Sequence, residues 1–108
     1  MLFAIAALGG LTMAGIRLFG QRNPPAWLAM AHGLLAAAGL TLLLFAAFTV
    51  GIPQLALWAL ILLLIAAAGG LLMNLAYQWE RRLLPKSLVY GHALIAVVGF
   101  ILLIAASI

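Results

Sequence analysis

Two histidines are the residues of this 108-residue sequence best suited to chemistry. His32 and His92 are the only histidines, and each follows a proline, Pro25 or Pro85, by seven residues. If each proline begins a helix, both imidazoles lie about 10 Å along it, at the same depth. Imidazole nitrogens ligate metals, bind haem iron and relay protons. The spacing therefore predicts a paired site on two matching helices.

The second half of the sequence resembles the first at an offset of sixty residues. About 18 of the 48 comparable positions are identical, and the rarer residue types fall in register, including the two histidines and Met13 with Met73. Such an offset indicates an internal repeat. We expect repeat 1 (residues 1–50) and repeat 2 (residues 55–108) to be parallel copies of a helical hairpin, related by a twofold axis along the membrane normal.

The elements that must position the histidines are membrane helices. The chain is 69% hydrophobic and only 6% charged, whereas soluble domains carry about 25% charged residues. A spanning helix needs roughly 20 apolar residues. The first apolar run of the sequence, which begins at Leu2, is interpreted as a retained helix rather than a signal peptide. The sequence predicts one all-α domain (residues 1–108), a bundle of four transmembrane helices. The apolar runs are Leu2–Phe19, Trp27–Val50, Leu55–Tyr77 and Leu88–Ile108.

The basic residues predict an orientation. All five lie at the first and third connections, and the middle connection carries none. By the positive-inside rule these two connections are cytoplasmic and both termini lie outside. We expect an integral protein of the bacterial inner membrane whose net charge of +4 reflects topology rather than nucleic-acid binding. The five basic residues are Arg17, Arg22, Arg81, Arg82 and Lys86.

A single haem b would suit the histidine pair. In a sequential ring of four helices the second and fourth stand diagonally, about 14 Å apart given 8–10 Å between neighbours, which suits two imidazoles on opposite sides of one iron. Two glycines, two turns beyond the histidines, would make room for the macrocycle, and two basic residues at the inner rim could pair with its propionates. These residues are Gly39, Gly99, Arg22 and Arg82.

With these two histidines the chain resembles membrane-embedded b-type cytochromes, in which paired histidines of a helical bundle hold haem. The resemblance covers the predicted bundle together with His32 and His92. It implies a role in electron transfer, as a protein or a subunit. With one histidine pair, the chain would hold one haem.

Other interpretations stay open at this stage. The histidines could serve only as hydrogen-bonding groups in packing, in which case the chain is a non-catalytic assembly subunit with no cofactor. Met13 and Met73 lie near the histidine depth, and a His₂Met₂ set would suit copper; small-solute transport is a further alternative. Glu80 is the only acidic residue, and cysteine is absent, so a self-contained hydrolase or transferase is not expected. We expect lipid contact and either a homo-oligomer or a larger membrane complex.

Overall fold

Residues 2–108, described by a computed structural model, form four α-helices without a strand. Helix α1 covers Leu2–Leu18, α2 covers Ala26–Thr49, α3 covers Gln54–Met73 and α4 covers Lys86–Ser107. A π-helical turn, Asn74–Gln78, continues α3. The predicted all-helical class is confirmed. When the π-helical turn is counted with α3, the predicted runs agree with the helices to within two residues at each end.

Prolines stand where three helices begin, and two residues with positive φ follow the ends of α2 and of the π-helical turn. Pro25, Pro53 and Pro85 occupy the N-cap positions of α2, α3 and α4 with extended backbone angles, which the fixed φ of proline favours. Helix α2 ends at Thr49, and two residues later Gly51 has a φ of +80°. After the π-helical turn, Arg81 adopts a φ of 57°, unusual for a residue with a Cβ, and thereby closes the helix end.

The helices form an elongated bundle measuring 44 × 20 × 19 Å. Helix α1 packs mainly on α2, and α3 packs mainly on α4; α2 also touches α3, and α4 touches α1. The helices are therefore arranged as a ring in chain order, and α2 and α4 are diagonal to each other. Two small cores fill the interior, one around Leu40, Leu60 and Leu63, the other around Met73, Leu84 and Val89.

The outer surface of the bundle is apolar. Large side chains such as Leu8, Leu34, Leu94 and Ile101 are each more than half exposed. Three helices are long and apolar enough to cross a membrane, namely α2, α3 with its π-helical turn, and α4, whereas α1 is apolar but shorter. A surface of this kind is compatible with contact with lipid, in which exposed apolar groups carry no hydrophobic cost.

Hydrogen bonds join the first and third connections at one end of the bundle. The side chain of Asn23 donates to the carbonyl of Arg82 (2.7 Å) and accepts from the backbone N–H of Leu84 (2.9 Å). Gln78 donates to the carbonyl of Pro24 at 3.2 Å. The two segments that carry the basic residues are therefore held together as one surface.

Candidate functional site

The two histidines meet inside the bundle. His32 projects from α2 and His92 from α4, and their ring centroids lie 6.2 Å apart with the planes inclined at 78°. Neither side chain is fully exposed or fully buried. The diagonal arrangement of α2 and α4 brings together two residues that are sixty positions apart in the sequence.

Each imidazole is held by a hydrogen bond to the first helix of its own hairpin. Nδ1 of His32 donates to the carbonyl of Ala6 at 2.7 Å, and Nδ1 of His92 donates to the carbonyl of Ala66 at 2.8 Å. A carbonyl oxygen only accepts, so Nδ1 must carry the proton. In the neutral ring Nε2 then keeps a free lone pair, which is the arrangement found in histidines that ligate metals through Nε2.

Glycines in α1 and α3 make room for the two rings. A Cβ at Gly10 would lie 3.0 Å from Cε1 of His32, and a Cβ at Gly70 would lie 3.2 Å from Cε1 of His92. The neighbouring glycines, Gly9 and Gly69, face the same histidines at 3.8 Å. These four glycines repeat at positions 9–10 and 69–70, and this repetition is the feature of the sequence that points to them.

Gly39 and Gly99 do not border the rings. A Cβ at Gly39 would meet the ring of Phe3 at 2.9 Å, and a Cβ at Gly99 would meet Leu63 at 3.1 Å. Both glycines are buried, and they lie two turns beyond the histidines. The space that the sequence analysis assigned there to a macrocycle is filled by a side chain of the adjacent helix, because α1 and α3 pack closely on α2 and α4 at that level.

The methionines proposed as copper ligands differ in their surroundings. Met73 is buried in the core with Leu84 and Val89, one turn beyond the glycines that face His92, as expected for a methionine that fills a gap in a core. Met13 is only partly buried. Residues 2–108 contain no group of three or more histidine, cysteine, aspartate or glutamate side chains that could hold a metal ion.

The two arginines expected at the rim are on the surface. Arg22 and Arg82 are both exposed, and the guanidinium of Arg82 lies over the ring of Tyr77 at 4.6 Å. The buried arginine is instead Arg17, which is 6% exposed. The sequence placed Arg17 at the first connection but gave no indication of its burial.

A shallow groove reaches one of the two histidines from outside. It lies between α3 and α4, has a volume of 410 Å³ and is bordered by Gly69, Ser87, Gly91 and His92. In the first half of the chain the positions that match Ser87 and Gly91 hold larger residues, Trp27 and Ala31. Because Ser87 and Gly91 are small, the surface of the bundle is open beside His92.

The fold and the site define a small four-helix bundle with paired inward-facing histidines and helices suited to a membrane. No protein-family model matches the chain, and comparisons with curated proteins and with solved structures find no match either.

Proposed function

We propose that this chain is an integral membrane protein that holds one haem b between His32 and His92 and takes part in electron transfer. A single observation carries the proposal: two imidazoles from diagonal helices lie 6.2 Å apart, each with Nδ1 bound to a carbonyl and Nε2 left free. When bound, the haem iron would supply one-electron redox chemistry.

The two histidines supply the kind of donor that holds haem iron. Their ring centres lie 6.2 Å apart. Because each Nδ1 is bound to a carbonyl, Nε2 of each ring would be the atom available to hold the group.

The hydrogen bonds to Ala6 and Ala66 would orient the ligands. Each bond fixes the tautomer and the angle of its ring before any cofactor arrives, which reduces the ordering cost of binding. Gly10 and Gly70 allow the rings to lie against bare backbone.

His32 and His92 would both be occupied in holding the haem. His32 and His92 would thus serve electron transfer to or from a partner, not chemistry on a bound molecule. A chain with one histidine pair would hold one haem, so it would exchange electrons with other proteins or small carriers.

The membrane arrangement is part of the same proposal. We propose that α1 crosses the bilayer with the other three helices, that the joined connections face the cytoplasm, and that the two hairpins are parallel repeats. The matching bonds from His32 to Ala6 and from His92 to Ala66, both between residues 26 positions apart, support equivalence of the two halves. The gathering of all basic residues at one end supports the orientation.

Optical spectroscopy of the purified protein tests the proposal. Protein expressed with haem supply and isolated in mild detergent should show a Soret band that sharpens and shifts on reduction by dithionite, with the sharp visible bands of low-spin bis-histidine iron. A colourless protein that takes up no added haemin would overturn it. Co-purification of such a protein with a larger complex would favour an assembly subunit, and copper found by elemental analysis would favour the copper alternative.

A further inference from the structure

The groove between α3 and α4 runs from one end of the bundle towards its middle. On α4 its border extends from Ser87, the second residue of that helix, to Ile95, a length of about 12 Å. On α3 its border extends from Leu72 back to Ile65. The hydrocarbon core of a bilayer is about 30 Å thick. In the proposed membrane arrangement the groove therefore covers most of one leaflet.

The groove is apolar and is open along its side. Ile65 and Leu72 at its border are each 51% exposed. Among the described residues that line it, only Ser87 and His92 have polar side chains. A polar molecule would give up hydrogen bonds along most of this surface, whereas a hydrocarbon chain has none to give up. The lining therefore favours an extended apolar chain.

The end of the groove at Ser87 adjoins a concentration of positive charge. Lys86 directly precedes Ser87 and is exposed, and the other four basic residues lie at the two connections joined at this end. Glu80 is the only acidic residue of the sequence, so the basic residues exceed the acidic ones by four. Basic residues beside a groove between membrane helices attract the headgroup of an anionic lipid.

We infer that this groove binds one anionic phospholipid from the leaflet next to the joined connections. Its phosphate lies beside Lys86 and Ser87, and one acyl chain follows the groove towards Ile95. The chain then covers the side of His92 that the groove leaves open. The inference rests on the membrane arrangement given under the proposed function and does not require that haem be bound.

A second copy of this chain is a poorer occupant of the groove. With five basic residues and one acidic residue in the sequence, a symmetric pair formed through the groove would bring two Lys86 side chains together at the same level. Like charges at an interface disfavour association. The first half of the chain lacks the features that favour a lipid, because the positions matching Lys86 and Ser87 hold Ala26 and Trp27. We therefore expect one bound lipid for each chain.

Native mass spectrometry of the purified protein in detergent tests the inference, because it counts bound lipids and copies of the chain together. The protein is titrated with dioleoyl phosphatidylglycerol and, separately, with dioleoyl phosphatidylcholine, which has the same acyl chains but no net charge. We expect one phosphatidylglycerol for each chain. It should bind about 5- to 10-fold more tightly than phosphatidylcholine, as for the attraction of a basic residue to an anionic headgroup.

Two pairs of variants locate the bound lipid. Gly91→Leu places a side chain in the groove, and no atom lies within 4 Å of a Cβ at that position. It should weaken the binding of both lipids about 10-fold, whereas Gly33→Leu, at an equally open glycine of α2, should leave binding unchanged. Lys86→Ala should remove most of the preference for phosphatidylglycerol. Arg22→Ala removes the same charge from an exposed position of the first connection and should retain the preference.

Several results would overturn the inference. Equal affinity of the wild-type protein for the two phospholipids would do so without any variant. Unchanged lipid binding in Gly91→Leu, with helix content unchanged by circular dichroism, would also do so. Displacement of the lipid by glycerophosphoglycerol, the headgroup without acyl chains, would indicate a site for free phosphate esters instead. A mass of two chains that falls to one in Gly91→Leu would assign the groove to a second copy.

Absorbance spectra of the same samples separate this inference from the haem proposal. A missing Soret band would reject the haem and leave the lipid result unaffected. Equal binding of the two phospholipids would reject the lipid site and leave the histidine pair unaffected, because the two lipids differ only in their headgroups.

Discussion

The imidazole of His32 lies edge to face with the imidazole of His92, with 6.2 Å between the ring centres. Nδ1 of each ring donates to a carbonyl of the preceding helix, so the two rings are not joined by a hydrogen bond from Nδ1. The pair is therefore a contact between two hairpins whose members are separately oriented. The contact between the two imidazoles is the basis for the expected effects of substitutions at this site.

Loss of either histidine should abolish the proposed bis-histidine spectrum. His32→Ala and His92→Ala should each remove low-spin absorption, and the double variant should lose little more, because two ligands of one iron act as a unit. Met13→Leu and Met73→Leu, which preserve volume, serve as controls and should leave the spectrum unchanged. A full low-spin spectrum in either single histidine variant would rule out the pair as the axial ligands.

Alanine at the glycines that face the rings should disturb the site. In Gly10→Ala the new Cβ would lie 3.0 Å from Cε1 of His32, and in Gly70→Ala it would lie 3.2 Å from Cε1 of His92. We expect each change to lower the free energy of unfolding by about 1–3 kcal/mol, as for overpacking, and to weaken haem binding. Unfolding of the protein in mixed micelles of increasing SDS content measures the first effect.

Gly33→Ala is the matched control, since no atom lies within 4 Å of a Cβ at that position. It should be neutral or should raise the free energy of unfolding by up to about 1 kcal/mol through helix propensity. If Gly10→Ala and Gly33→Ala had the same effect, the glycine at position 10 would have no special relation to the imidazole.

Asn23 should be important for stability although it lies in a connection. Asn23→Ala removes the bond to the carbonyl of Arg82 and the bond from the N–H of Leu84. At about 1 kcal/mol for each hydrogen bond, we expect a loss of roughly 1–2 kcal/mol in the free energy of unfolding. Gln21→Ala, at an exposed position of the same connection, should have little effect. Equal losses in both variants would mean that the bridge between the connections contributes nothing.

The proposed orientation can be tested with single cysteines, because the sequence contains none. Gln21→Cys places a thiol at an exposed position of the first connection, and Gln54→Cys places one at the exposed first residue of α3, next to the second connection. In intact cells an impermeant maleimide should label position 54 and not position 21, whereas permeabilised cells should give labelling at both. Labelling of position 21 from outside would contradict the positive-inside assignment.

The sequence alone determined the helices and the position of each histidine along its helix. Pro25, Pro53 and Pro85 fix where three helices begin, since proline lacks an N–H and has a restricted φ. Equal spacing from Pro25 and Pro85 then puts His32 and His92 at the same level. These are local properties, each set by a few neighbouring residues, and they can be read without knowing the packing.

Only the tertiary structure decided which faces meet. These helices are apolar on every side, so no polar stripe marks the surface that faces inward. The sequence therefore could not distinguish Gly10, which contacts His32, from Gly39, which contacts Phe3. Nor could it show that Arg17 is buried while Arg22 is exposed. These differences depend on how each helix is rotated about its axis, and this rotation is set by the packing of side chains from separate helices.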